Sequence, residues 1–415
     1  MDRRALLRSL TTLSMLASMN PVSGHAERLI IQVGNSNELA QALTLATAGT
    51  TIVLADGSYE RRNGFALDAR GNSGAPIVVR AAHLGRAHLS DELAIRGGAH
   101  AWIWGLNFQG PSARLQITGQ HHKVIGCRFA EFGSATAFTQ DTALNLPSRT
   151  DFLEIAYCLF ENPASFAPWH SVERDGQWPQ YRFGIRGRHE VDRAPYDLHI
   201  HHCHFRNFPT KPSSNYRSAQ ADAIEIAPIG SNFGTRNLIE YCRFENIKDD
   251  AGAICDIKAG SDGIFQYNTA INCAGRVDLR SAANWIIRHN WLENTQGIAV
   301  YGRDHQLIDN QLGGGASLVR ILRGNGDDSF SGAGRQQVVN CLVRCHGGAL
   351  RIGTDWSGDP LDYLPVEIRV EGHGGSVDIQ PGAMVTERRD YLCTESRAFR
   401  LAAEQIGPAA APVIR

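Results

Sequence analysis

Only four of the chain's 41 basic side chains are lysines: Lys123, Lys211, Lys248 and Lys258. Arginine supplies the rest of the positive charge and stays protonated at any working pH, whereas a lysine can be brought to give up its proton and act as a base. Lys258 also opens an evenly spaced series, with Arg280, Tyr301 and Arg323 following at steps of 22, 21 and 22 residues. Each closes a short apolar run just ahead of a turn. A lysine, an arginine, a tyrosine and an arginine in one line suit the removal of a weakly acidic proton beside a carboxylate. That reaction needs the carboxylate charge offset and a base of usable pKa. In this reading like charge from Arg280 pushes Lys258 toward neutrality. Arg280 holds the carboxylate and the enolate-like charge that develops on it. Tyr301 stacks on a sugar or hands a proton to the leaving oxygen, and Arg303 and Arg323 are further candidate substrate contacts. An anionic polymer of uronic acids is the substrate such a stripe fits.

The elements that must hold this line follow from its period. A repeat near 22 residues is that of a solenoid coil, whose neighbours stack about 4.8 Å apart. A second pattern has the same rhythm: a short apolar run, then Cys or Asn, one residue, then an apolar side chain. It recurs at Cys127, Cys158, Cys203, Cys242, Asn268, Asn290 and Asn310. Strands of this length without intervening helices predict an all-β chain, a right-handed single-stranded parallel β-helix. Cys127, Cys158, Cys203 and Cys242 should form an internal ladder of thiols, and the asparagines an amide ladder. Cys341 and Cys345 are close enough in sequence to pair or to stay free. Asn35–Glu38 can cap a short helix running through Leu45, which plugs the open end of the stack, with Thr51–Leu54 as the first strand. Long insertions at 161–195 and 206–222 read as loops over one face. The organisation expected is a leader at 1–26, the catalytic β-helix at 27–357, and C-terminal coils with a cap at 358–415.

Composition narrows the class. The 415 residues carry a formal net charge of -1, which argues against a broad nucleic-acid-binding surface. Arg3, Arg4 and Arg8, an apolar stretch from Leu6 to Met19, and Gly24-His25-Ala26 form an export signal of the general secretory or twin-arginine type. Export, with a bacterial periplasm as destination, is the expectation. No later apolar run is long enough to cross a membrane.

The stretch Asp256-Ile257-Lys258, Asn268-Thr269, Asn272-Cys273, Leu279-Arg280-Ser281, Asn290, Gly297-Ile298 and Gly302 to His305 resembles polysaccharide lyase family six. That family contains alginate lyases and chondroitinase B. The resemblance implies a parallel β-helix that cleaves polyuronates by β-elimination, with the catalytic lysine at Lys258 and the catalytic arginine at Arg280. It also implies a calcium ion held by two glutamates five and seven residues before the lysine. Here Ala253 and Ala251 stand at those positions, no Asn stands near Ala219-Gln220 where a third ligand falls, and Ala299 replaces an arginine. No cofactor is therefore expected. A different calcium site built from Asp222, Glu225, Asp249, Asp250 and Asp256 ranks second, because carboxylates beside a basic stripe more often orient Lys and Arg.

Other signals weigh less. His199, His201, His202 and His204 crowd one strand like a zinc site, but strand alternation places His202 and His204 on one side and His199, His201 and Cys203 on the other, which favours structural histidines. Asp249-Asp250 with Gly372-His373-Gly374, and Asp359 to Asp362, resemble fragments of other sugar-acting families that lack their remaining motifs. Trp169, Trp178 and Tyr181 either stack on sugars or pack their loop. The reading is an exported polysaccharide lyase acting on an alginate-like or glycosaminoglycan-like polymer. The alternatives are a β-helix that binds an acidic exopolysaccharide without cleaving it, and a uronate C5-epimerase.

Overall fold

The computed structural model describes residues 29–135, 140–147, 150–166, 180–189, 196–210, 219–228, 235–248, 252–258, 260–280, 282–314, 317–322, 338–354, 364–387 and 400–412. The proposed leader, Trp169, Trp178, Asp249, Asp250, Ala251, Arg323 and Asp359 to Asp362 lie outside the described residues.

The chain winds as a parallel β-helix. Each regular coil adds one strand to a long sheet, turns, then adds two short strands separated by a bend. The coil around the lysine shows the plan: Ala253–Ile257, then Ile264–Gln266, then Thr269–Ile271. The next coil repeats it as Arg276–Leu279, Ile286–Arg288 and Trp291–Glu293. All these strands pair in parallel with their counterparts one coil away. The bend between the two short strands falls on a residue at positive φ, such as His202, Tyr241, Tyr267 or His289. Rings at that bend stack on one another from Tyr157 through His202, Tyr241 and Tyr267 to His289.

Strand alternation sorts the long sheet into an inside and an outside. Cys255 and Ile257, Val277 and Leu279, Ile298 and Val300, and Val319 and Ile321 all point inward and are fully buried. Inside the second sheet Phe108, Phe129, Phe160, Phe205 and Phe244 stack face to face at 4.7–5.0 Å. One coil spacing equals one ring spacing, so the fold fixes the aromatic stack.

The expected polar ladders are present. Cys158, Cys203 and Cys242 each direct the thiol at a carbonyl of the preceding coil, at 3.5, 3.5 and 3.8 Å. Asn268, Asn290 and Asn310 continue the column, donating to the carbonyls of Ile239, Phe265 and Ile287 and accepting from the amides of Cys242, Asn268 and Asn290. Cys341 and Cys345 are buried free thiols.

The helix Ser36–Leu45 closes the first coils, with Leu39, Ala42 and Leu43 buried. The Asn35 side chain caps it, accepting from the amides of Asn37 and Glu38. Thr51–Leu54, expected as the first strand, is the second, because Ile30–Val33 precedes it and pairs with it. The histidine assignment needs one correction. Cys203 points into the core while His199 and His201 face outward, because the bend at His202 resets the alternation. His199, His201 and His204 sit on Glu240, Glu154 and Glu245 at 3.0, 3.4 and 2.8 Å.

Candidate active site

The register places Lys258, Arg280 and Tyr301 on successive coils of the long sheet. Ile257 pairs with Leu279 and Leu279 with Val300, so the residues that follow them share one file. Backbone bonds carry the file on: the Arg280 amide donates to Ile257 O at 2.7 Å and the Tyr301 amide to Leu279 O at 2.7 Å. Arg323, expected at the fourth place, lies outside the described residues, and a different residue stands at that place. Val300 pairs with Ile321, so Leu322 takes the fourth place and packs with Ala299 and Tyr301. The last interval is 21 residues rather than 22.

A second file lies two residues earlier on the same outer face: Arg186, Glu225, Asp256, Asp278, Ala299, Arg320 and Arg351. It decides the electrostatics of the first. The Lys258 ammonium donates to Glu225 and lies 3.4 Å from Asp256. Arg280 approaches the same Asp256 carboxylate from the next coil at 3.9 Å. Arg186 donates to the other oxygen of Glu225 at 2.8 Å. Arg276 donates to Asp278 and to Gln296, both at 3.1 Å.

Lys258 is thus not the exposed, charge-repelled lysine expected from its neighbour alone. It is 7% exposed. Burial works against its charged form, but Asp256, Glu225 and Asp222 outweigh it and hold its pKa above the ordinary lysine range. Burial likewise opposes charge on Glu225, yet Lys258 and Arg186 hold that carboxyl below its usual range. Asp222 is driven well up, first by burial and then by Asp256 and Glu225. Tyr301 is 5% exposed, and burial followed by Asp278 raises its phenol, so the ring is a wall of the site more than an exposed platform. Arg303 lies elsewhere, in a groove at the corner of the coil with Ser261, Asp262, Asn284, Asp304 and Asn340. Arg186, Arg276, Asp278, Arg320 and Arg351 escaped the sequence reading. Counting two residues back from Arg280 would have found Asp278; the other four carry no such signal.

The chain matches the Chondroitinase B family model over residues 33–312, which includes Lys258, Arg280 and Tyr301. The chain belongs to the chondroitinase B family. It is a polysaccharide lyase of family six. Similar solved structures include a family-six lyase of Pseudopedobacter saltans, 16% identical, with TM-score 0.66 over 91% of this chain and 99% of that one. A mannuronic acid specific family-six lyase from human gut microbiota is also 16% identical, with TM-score 0.64 over 85% and 82% of the two chains. A family-six alginate lyase in complex with a trisaccharide is 13% identical, with TM-score 0.51 over 92% and 96%. No curated protein matches the chain.

The side chains of this lyase do not fit the calcium ion that its family implies. Ala253 offers no ligand, and its amide is itself bound, donating to Asp222 Oδ1 at 2.6 Å. Asp222, Glu225 and Asp256 can bring one oxygen each within 4.8 Å of one another. Both oxygens of Glu225 are taken, however, by Lys258 and Arg186. Those of Asp222 accept from Ala253 and from Gln220 at 2.8 Å. A lysine ammonium already occupies the position from which a cation would neutralise the cluster.

Proposed function

We propose that this lyase cleaves a uronic-acid-containing polysaccharide, alginate-like or glycosaminoglycan-like, by β-elimination on the Lys258–Arg280 face, without a metal. The observation that carries the reading is the convergence of two cations from adjacent coils on one buried carboxylate, Asp256. That carboxylate fixes both side chains before substrate arrives, and such preorganisation is what charge stabilisation requires. Lys258, once neutral, takes the proton at C5. Arg280, 32% exposed and permanently charged, faces the uronate carboxylate and stabilises the charge that develops there; the C4–C5 double bond forms as the bond to the C4 oxygen breaks, and the freed oxygen takes a proton from water. Tyr301 and the arginines beyond it border the groove along which the polymer lies. The solved neighbours described as alginate lyases make alginate the first substrate to offer, and the family name makes chondroitin and dermatan sulfates the second. Arg3, Arg4, Arg8 and the apolar stretch after them support export to the periplasm, where such polymers are met.

The test is the rise in ultraviolet absorbance from unsaturated uronate ends, with each polymer, with and without chelator. Cleavage of one of them that survives chelation is expected. Lys258→Ala should lower the rate by a factor of about 100 or more while leaving the fold intact. Full activity in that variant would remove Lys258 from the chemistry, and loss of activity on chelation would remove the metal-free reading.

A further inference from the structure

The outer file changes sign along the helix axis. Glu225, Asp256 and Asp278 hold one stretch, Ala299 interrupts it, and Arg320 and Arg351 hold the next. The acidic stretch is internally matched, since Lys258, Arg186, Arg280 and Arg276 are all drawn to it. The basic stretch is not. Among the described residues, neither Arg320 nor Arg351 has a carboxylate within ion-pair distance or a hydrogen-bond acceptor. Asp378 follows Arg351 in register but makes no ion pair with it. Arg320 is half-buried: burial first, then Arg276 and Arg351, lower its pKa, and Asp278, across Ala299 in the same file, offsets only part of this. A half-buried guanidinium with no carboxylate at ion-pair distance keeps its donors open, and such a group suits a ligand that supplies the anion. Neighbouring coils sit about 4.8 Å apart, close to the length of one sugar unit in an extended polymer. Arg320 lies two coils past Arg280 and Arg351 three, so each can meet a different sugar.

We propose that Arg320 and Arg351 form an anion subsite for the acidic groups of sugars bound beyond Arg280, fixing the polymer's register over Lys258. The proposal rests on the lyase reading above and adds which part of the groove selects a charged, multi-sugar substrate. The two arginines are positioning residues, distant from the reacting atoms. Uronate carboxylate and sugar sulfate both match an arginine fork, so the experiment must separate them.

Binding is measured by calorimetry with full-length protein carrying Lys258→Ala, which keeps the ligand uncleaved. The probes are alginate hexasaccharide and dermatan sulfate hexasaccharide. Adding Arg320→Gln should weaken binding of the recognised oligosaccharide about tenfold or more, and Arg351→Gln by a smaller factor. The oligosaccharide whose affinity falls identifies the anion as carboxylate alone or as sulfate as well. In otherwise wild-type protein, Arg320→Gln should raise KM for hexasaccharide while kcat stays within about twofold, and Arg320→Lys should restore part of the loss. Thermal melting of Arg320→Gln should be unchanged or higher, because an unmatched cation is removed. If neither oligosaccharide binds more weakly to the Arg320→Gln protein, the subsite is wrong even where cleavage is confirmed. If no polymer is cleaved but binding still depends on Arg320, the lyase chemistry fails and the subsite stands.

Discussion

At the residue scale the site turns on how Lys258 loses its proton. Asp256, Glu225 and Asp222 hold it charged in the free protein despite its burial. A uronate carboxylate brought near it would favour the charged form further. The rate of proton abstraction should therefore climb with pH through the alkaline range, because only the neutral amine is a base and its share grows as pH approaches a raised pKa. Glu225→Gln removes one of the anions that hold the proton. The alkaline limb should then move to lower pH, and the rate near neutrality should rise if Arg186 keeps its place. Arg186 loses its acceptor in the same change, so melting must be recorded beside the pH–rate profile. A profile that is flat across the alkaline range in the unaltered protein, or that stays put in Glu225→Gln while the fold holds, would give the proton to another group. Like charge from Arg280, expected to push Lys258 toward neutrality, is outweighed by carboxylates, two of which lie in the file two residues earlier.

At the element scale the lysine's position depends on the turn that follows it. Trp285 is fully buried, and its indole N–H donates to Gly260 O at 3.2 Å, fastening that turn to the next coil. Gly263 lies flat against the same ring, and a Cβ built there would overlap it. Gly263→Ala should displace Trp285, cost about 1–3 kcal/mol of stability as overpacking does, and lower activity by loosening the strand end that carries Lys258. Denaturant unfolding and the elimination rate check both. An unchanged rate in a destabilised protein would separate the turn from the site. The coils themselves were legible in the residues. Period, the Cys and Asn columns and the Asn35 cap all follow from local chemistry repeated at fixed spacing. What the repeat could not show was a slip of one residue. Leu322 instead of Arg323 fills the fourth place, and with that slip Arg320 enters the outer file. Register is set by pairing between coils, and a one-residue difference in a long turn is invisible to a pattern of period 22. Likewise the bend at His202 turns Cys203 inward, which simple alternation along a strand does not foresee.

At the scale of the whole molecule a solenoid is held mainly by contacts between adjacent coils, so its stability is close to a sum of neighbour terms. The segment 400–412 departs from that scheme by running back along the second sheet. Arg400 reaches Glu293 at 3.4 Å, and the Leu401 amide donates to Thr269 Oγ1 at 2.8 Å. Arg243 donates to Leu401 O, and the Gly407 amide to His202 O at 2.8 Å. Leu401 and Ile406 are each 3% exposed, so the segment is seated by apolar burial as well as by hydrogen bonds. It joins four successive coils along the second sheet, not the sheet that carries the lysine file. Deleting residues 400–415 should therefore leave the Lys258 site assembled but uncouple these coils. The expected result is a lower melting temperature and a broader unfolding transition, because a strap that spans several coils adds cooperativity that nearest-neighbour stacking lacks. Elimination measured well below the melting temperature should stay within about twofold of the full chain, since no residue of the segment enters the charged files that bind and cleave. A truncated protein that melts unchanged would show the strap to be passive. One that melts unchanged yet loses activity would place the segment in the catalytic machinery, against the geometry described above.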